Sequence, residues 1–376
     1  MSANLLTKYR NSIAQTLSRM LASDPIFLQA CVELAAQGQM TCAPNPPVGC
    51  IIWRDGQVLG RGFHARAGSG HAEVNALSDA ATEVRGATVF VSLEPCSFVG
   101  RTPACAQTLI DAGVARVVVA AVDPNPQVAG QGIRMLRDAG ITVDIVELAS
   151  ARECIQGFAK RITQQRPWVR IKTAASLDGS VALASGASQW ITGGAARADV
   201  QYWRARSDAI ITGVGSVLAD DPRLTVRDPN YAHAAVPLRV VLDSRGRTPI
   251  GAQILQGPAA TLLVHQRGSG SPELATGDNV QQLHLPDGPQ DLDGLLVELG
   301  QRGCNEVLIE AGPAVVGSFL QSGLWDEWIA YVAPKVLGSD SQSMADLVVS
   351  NLSDAHQARL VQSVQIGDDL RLTLRP

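Results

Sequence analysis

The chain has 376 residues, 46% of them hydrophobic and 18% charged, with a formal net charge of −4. That length predicts two domains with sizeable cores and excludes a largely disordered protein. The slightly acidic balance disfavours nucleic acid and anionic membranes as partners and points to a small molecule. No run of eighteen apolar residues is present, so no membrane span is expected. Seven cysteines, odd in number and sparse for the length, predict a reducing, cytoplasmic location rather than a disulfide framework.

Residues 1–23 are mildly amphipathic, lack acidic side chains and read as an N-terminal extension. The first domain is expected over 24–148. Asp24-Pro25 opens a helix in which Phe27, Ala30, Cys31, Leu34 and Ala35 fall at helical spacing. Pro44-Asn45-Pro46-Pro47 then breaks the chain. Residues 48–53 and 58–63 read as strands of a hairpin turning at Asp55-Gly56. A helix over 71–79, a strand over 87–93, a helix over 103–112, an apolar strand over 114–122, a helix over 132–138 and a strand over 141–146 follow. Strands alternating with helices predict a three-layer α/β domain.

Residues 149–166 are polar and helix-compatible. They read as a linker helix at the head of a second α/β domain, 149–376. Strands are expected there at 168–173, 209–213, 238–242, 261–265, 306–310 and 328–333, and helices at 195–206, 291–301 and 313–322. Residues 369–374 alternate apolar and polar side chains and read as an antiparallel edge strand.

The chemistry concentrates in His71-Ala72-Glu73, Glu94-Pro95-Cys96 and Cys105. One imidazole and two thiolates can hold zinc while leaving a fourth position open, which marks a catalytic rather than a structural site. The histidine opens a helix, and the cysteines lie between a strand end and the next helix, where open α/β sheets bind ligands. Zinc there would activate water near neutral pH. Glu73, not itself a ligand, is expected to carry protons from that water to a ring nitrogen and to departing ammonia, so the expected reaction is hydrolytic deamination of a nucleobase-like ring. His71 would bind as neutral imidazole, and Cys96 and Cys105 as thiolates. Cys42 or Cys50 could complete a closed structural site, but Glu73 would then have no role.

In the second half, Gly213-Val214-Gly215 follows an apolar strand but lacks the third glycine of a dinucleotide fingerprint, and alone it is a weak signal. A second strand-to-helix turn, Glu310-Ala311-Gly312-Pro313-Ala314-Val315-Val316-Gly317, could cradle a pyrophosphate on its helix N–H groups. Together the two turns make a nucleotide crevice. Ser244-Arg245 stands where a 2′-phosphate could be read. Asp178-Gly179 reads as a tight turn, and no general acid for a reductive step stands out.

Cytidine and tRNA-adenosine deaminases separate their two thiolates by two residues, whereas eight lie between Cys96 and Cys105. That interval, with Pro44-Asn45-Pro46-Pro47-Val48-Gly49, Gly62-Phe63-His64 and Asp123-Pro124-Asn125-Pro126, resembles the bifunctional riboflavin-biosynthesis deaminase/reductases. The resemblance runs from about residue 24 to the end of the chain. Lys172-Thr173-Ala174-Ala175-Ser176-Leu177-Asp178-Gly179, Ser188-Gln189-Trp190-Ile191-Thr192, the run from Leu218 to Arg227 and Ala333-Pro334-Lys335-Val336-Leu337-Gly338 are similar to the reductase half. It implies a cytidine-deaminase-like first domain and a dihydrofolate-reductase-like second domain. It also implies zinc and NADPH as cofactors and a phosphorylated diaminopyrimidinone as substrate, first deaminated and then reduced in its ribosyl side chain. A homodimer or higher homo-oligomer through the reductase half is implied as well.

Residue by residue, the resemblance implies pyrimidine contacts from Asn45 and Arg101, with Ser97 and His64 as lesser candidates. It implies NADPH contacts from Ala174, Trp190, Ser216, Asp220, Ser244, Gly312, Pro313, Ala314, Val315, Val316, Gly317 and Ser318. Contacts to the ribosyl phosphate would come from Ser188, Arg204, Leu224, Arg227 and Glu310. Two histidines commonly follow the serine of the thiolate interval in this family; here Phe98 and Val99 stand there, and a more apolar pocket is expected. Two rival readings are an RNA-binding base deaminase and a non-catalytic nucleotide sensor stapled by zinc. The acidic balance and the lack of a basic–aromatic stripe weigh against the first.

Overall fold

The computed structural model describes residues 24–98, 104–266, 268–269 and 279–376. It divides after Thr163 into two compact units. The first runs α1 (24–36), β1 (Gly49–Arg54), β2 (Gln57–Phe63), α2 (Ala72–Asp79), β3 (Thr88–Val91), α3 (Cys105–Asp111), β4 (Arg116–Val119), α4 (Gln131–Asp138), β5 (Thr142–Ile145), α5 (Ala149–Cys154) and α6 (Gln156–Gln164). Its sheet has the order β2-β1-β3-β4-β5, antiparallel across β2, β1 and β3 and parallel from β3 to β5. Asp55 (φ 51°) and Gly56 (φ 83°) both take the left-handed conformation that a two-residue hairpin turn demands.

Alternate strand residues point to opposite faces and make two cores. Cys50, Ile52, Val89, Val91, Val117 and Val119 pack under α2, α3 and α4. Ile51, Phe90 and Val118 pack under α1 and α5. The first unit is therefore the expected three-layer domain. Residues 149–163 of the stretch read as a linker belong to it: Ala151 and Ile155 are buried in the second of these cores. Strand β2 also lies close against α2. A Cβ on Gly62 would stand 2.4 Å from the Ala72 carbonyl oxygen, so glycine is needed there, and the approach sets the start of α2 against the sheet.

The second unit contains β6 (Trp168–Ser176), β7 (Ser180–Ala182), α7 (Gly194–Arg206), β8 (Ala209–Gly213), α8 (Val214–Asp220), β9 (Leu238–Leu242), β10 (Thr261–Gln266), β11 (Val280–Leu285), α9 (Leu292–Gln301), β12 (Glu306–Ile309), α10 (Pro313–Ser322), β13 (Glu327–Ala333), β14 (Gln342–Ser343), β15 (Arg359–Ile366) and β16 (Asp369–Arg375). Nine strands form one sheet in the order β11-β10-β9-β8-β12-β6-β13-β16-β15. It is parallel from β11 to β13, and β16 and β15 are antiparallel. One face packs on α9 and α10, the other on α7 and α8.

The strand expected at 369–374 is antiparallel but not at the edge, since β15 lies outside it. β15 is exposed nearly throughout and its pairing with β16 slips between Leu360 and Gln362, which blurs the period-two signal. β11, with the sequence Val-Gln-Gln-Leu-His-Leu, gives little signal for the same reason of edge exposure. No helix among the described residues is long and apolar enough to cross a membrane.

Candidate active sites

In the first unit, His71 is the extended N-cap of α2, and Glu73 lies in its first turn. Cys96 follows the end of β3, and Cys105 is the first residue of α3. One ligand atom from each of His71, Cys96 and Cys105 lies within 4.8 Å of the other two. His71 Nδ1 is 3.2 Å from Cys105 Sγ and 3.7 Å from Cys96 Sγ, and the Cys105 N–H donates to Cys96 Sγ at 3.3 Å. An imidazole and two soft sulfurs converging on one point fit zinc, and no fourth protein donor joins them among the described residues.

Hydrogen bonds from Cys105 pull the Cys96 thiol down to about 4. The Cys105 thiol, bonded to Cys96 and buried, is pushed up. The hydrogen bond to Cys96 raises His71. Glu73 is 3% exposed, and burial pushes its carboxyl up to about 7.

His71, Glu73 and Cys96 open on a cavity of about 530 Å³, a size suited to a nucleotide, which Asn45, His64 and Phe98 also line. The His64 ring stands 3.1 Å by Nδ1 from the Gly70 carbonyl and 3.0 Å by Nε2 from Asn45 Nδ2. The carbonyl can only accept, so Nδ1 carries the proton and Nε2 accepts from the Asn45 amide. Burial lowers the His64 pKa, consistent with a neutral ring that holds Asn45. Ser97 does not line the cavity, and Val99 and Arg101 lie outside the described residues. Sequence reasoning gave no role to Phe158 and Ile162 of α6, which also line it; helix periodicity alone could not say what their face would cover.

In the second unit a cleft of about 900 Å³ opens at the carboxyl ends of β6, β8 and β12. Helices α8 and α10 begin there with Gly213 and Gly312 as N-caps, neither helix end being capped by its N-cap side chain. A Cβ on Gly215 would meet nothing within 4 Å, and one on Gly312 would meet only Ser216 Oγ, at 3.8 Å. A phosphate group can therefore approach both turns closely, as a dinucleotide cofactor requires.

Ala174, Ser188, Trp190, Arg204, Ser216, Asp220, Leu224, Arg227, Glu310, Gly312, Pro313, Ala314 and Val315 all line this cleft. Val316, Gly317, Ser318 and Ser244 do not. Helical rotation turns Val316 into the core, sets Gly317 against the Asp346 carbonyl, and leaves Ser318 Oγ donating to the Ala314 carbonyl at 2.8 Å. Ser244 follows β9, one strand further out, where its carbonyl accepts from Ser269 Oγ at 2.6 Å.

Arg204 grips Glu310 with both ends of its guanidinium, at 2.6 and 2.9 Å, and Lys172 Nζ lies 3.8 Å from the same carboxylate. Burial alone would raise Glu310, but the guanidinium and the ammonium hold it at about 2. Burial, then the neighbouring Arg204 and Arg223, lower the Arg227 pKa, and an anion bound beside it would relieve that repulsion. Burial also lowers Lys172. The sequence reading quoted Lys172 without giving it a role, and only the fold shows it in the cleft. Asp178 accepts from the N–H groups of Leu337 and Gly338 at 3.0 and 2.8 Å beside Gly179 (φ 79°), as a turn residue does.

Residues 22–121 match the cytidine and deoxycytidylate deaminase zinc-binding region, and residues 167–372 match the RibD C-terminal domain. Fold and sites together define a two-unit α/β enzyme, one unit a cytidine-deaminase-like zinc domain and the other dihydrofolate-reductase-like. The riboflavin biosynthesis protein RibD of Escherichia coli (strain K12) is 43% identical over 93% of this chain and 99% of its own length. That of Haemophilus influenzae is 42% identical over 94% and 98%. The structure of Acinetobacter baumannii RibD, form 2, matches with a TM-score of 0.89 at 44% identity, covering 95% of this chain and 99% of that one. The diaminohydroxyphosphoribosylaminopyrimidine deaminase/5-amino-6-(5-phosphoribosylamino)uracil reductase of Thermotoga maritima matches at 0.86 and 30% identity, covering 94% and 99%. The chain belongs to the RibD family of riboflavin-biosynthesis proteins.

Proposed function

We propose that the chain performs two consecutive steps of riboflavin biosynthesis. The first is hydrolytic deamination of 2,5-diamino-6-(5-phosphoribosylamino)pyrimidin-4(3H)-one. The second is NADPH-dependent reduction of the ribosyl side chain, which gives 5-amino-6-(5-phosphoribitylamino)uracil. The observation that carries this reading is the convergence of His71, Cys96 and Cys105 beside the buried Glu73, with His71, Glu73 and Cys96 lining one cavity with Asn45.

Zinc, when bound, supplies the Lewis acidity that activates water. His71 Nδ1 and the sulfurs of Cys96 and Cys105 would hold it. Glu73 takes the proton of the attacking water and returns protons to the ring nitrogen and to the leaving ammonia. Asn45, its amide held by His64, orients the pyrimidine, and Arg101 contacts the same substrate. Phe98, which lines the cavity, brings an apolar side chain where the family commonly has a histidine. The deaminase unit extends through α6.

NADPH, when bound, supplies hydride. Ala174, Trp190, Ser216, Asp220 and the turn from Gly312 to Val315, which line the cleft, would hold it. Ser188, Arg204, Leu224, Arg227 and Glu310 orient the ribosyl phosphate. Lys172, desolvated beside Glu310, delivers the proton that balances hydride addition. Self-association through the reductase unit is supported by the exposed Leu360 and Val361 of the edge strand β15 and Leu370 of its neighbour β16. A cytoplasmic location is supported by seven cysteines, none of them in a disulfide.

The test supplies purified protein with the diaminopyrimidinone, with and without NADPH, while ammonia and NADPH oxidation are followed together. Ammonia is expected without NADPH, and oxidation only after deamination. Oxidation without ammonia release would contradict the order proposed.

A further inference from the structure

Glu94 stands two residues before Cys96 and is not among the three metal-binding side chains. Its carboxylate is buried, 4% exposed, and accepts four backbone hydrogen bonds. Oε2 accepts from the N–H groups of Gly130 at 2.9 Å and Asp123 at 3.2 Å; Oε1 accepts from those of Gly132 at 3.0 Å and Ile133 at 3.2 Å. Gly132 and Ile133 open α4. The N-cap of that helix, Gly130, is left-handed at φ 77° and offers no side chain. The cap therefore comes from the loop before Cys96, where a carboxylate satisfies orphan N–H groups and suits the positive end of the helix dipole.

The Pro95 carbonyl oxygen lies 1.9 Å from where a Cβ on residue 132 would stand, so only glycine admits this approach of loop to helix. On its other side Cys96 is held by α3. The Cys105 N–H donates to Cys96 Sγ, and the Ala106 N–H donates to the Cys96 carbonyl at 3.1 Å. Cys96 is thus fixed between two helix N-termini.

We propose that Glu94 is a positioning residue for the metal. By clamping its loop to the start of α4, it sets where Cys96 Sγ meets His71 Nδ1 and Cys105 Sγ. This rests on reading that cluster as the zinc site. Four donors converge on two oxygens, and a carboxylate accepts from all of them. An amide cannot: whichever way a glutamine is turned, its NH2 faces two backbone donors.

The test titrates wild-type chain and Glu94→Gln with zinc against a chelator, and compares thermal unfolding with and without zinc. Groups that orient metal ligands are typically worth about 10- to 100-fold in affinity, so zinc Kd is expected to rise by that factor in Glu94→Gln. The zinc-induced rise in Tm should shrink, with NADPH binding unchanged. Gly132→Ala keeps the carboxylate but drives a Cβ into the Pro95 carbonyl, 1.9 Å away, and to 3.4 Å from Glu94 Oε1, and should weaken zinc in the same direction. A merely structural cap lowers Tm equally with and without zinc and leaves Kd within about twofold. That result, or loss of folding in both variants regardless of zinc, overturns the proposal. A wild-type chain that takes up no zinc would instead overturn the reading beneath it.

Discussion

Glu73 and Glu310 are both buried glutamates at the hearts of their units, yet their carboxyl groups move in opposite directions. No arginine among the described residues acts on Glu73, and burial pushes it up to about 7. Glu310 is gripped by Arg204 with Lys172 behind, and stays at about 2. Burial penalises the charged form in both; a fixed opposite charge decides which effect wins. The pair shows how one side-chain type serves two purposes, a proton carrier in the deaminase unit and a permanent anion that orders cationic groups in the reductase unit.

Stripping zinc should break the comparison most completely. Chelation is expected to abolish ammonia release while NADPH oxidation on the deaminated intermediate continues; parallel loss of both would mean that the sites are not separate. Glu310→Gln should act in the opposite sense. It leaves Arg204 and Lys172 without their anion, and the reductase kcat/KM should fall on the order of 10²-fold with deamination untouched, as steady-state assays of each half-reaction would reveal.

Acid should separate the units by stability. Glu306 accepts from Arg170 at 3.0 Å and from Arg206 at 2.8 and 3.0 Å. Burial would raise its carboxyl, but those guanidinium groups hold it at about 2. A depressed carboxylate contributes stability that is fully present above its unfolded value of about 4.3 and is lost as pH falls through the folded value. The reductase unit should therefore lose stability between about pH 4 and pH 2. Glu306→Gln should cost on the order of 3 kcal/mol at neutral pH and flatten that slope, because the buried Arg170 loses one of its two carboxylate partners and the half-buried Arg206 loses the only one it has among the described residues. Denaturant titrations at neutral pH and near pH 3 would decide this, and a wild-type stability unchanged between them would count against it. The smallest effect is expected from replacing Phe98 and Val99 together by histidine. Zinc content should stay the same and the deaminase KM should change by roughly 2- to 10-fold; an unchanged KM would show that the apolar pair does not touch substrate.

The two halves also differ in how much of them the sequence made legible. The metal centre takes its donors from a short stretch, His71 to Cys105, and its side-chain types are rare and chemically specific. The reductase cleft gathers residues from Lys172 to Met344 and offers a cofactor mostly backbone, which any sequence could supply. Its two glycine turns were visible, but only the fold shows that they open on one cleft and that the far turn of α10 rotates out of it. Lys172 was hidden because a lysine acquires a functional look only once burial and a neighbouring carboxylate are known. Strands β8 and β9 were legible as short, mainly apolar runs, interrupted only by Thr212 and Arg239, whereas β11 and β15, at the sheet edges, lack any such pattern. Residues 149–166 were read as a linker because polarity and helix propensity do not say which unit a helix will cover.

Glu73→Ala tests the central claim most directly, with ammonia release, zinc content and NADPH oxidation on the deaminated intermediate measured on the same preparation. The account predicts that zinc stays bound, ammonia release falls by about 10²- to 10⁴-fold and NADPH oxidation proceeds at the wild-type rate. Ammonia release that survives the substitution with zinc retained would contradict it.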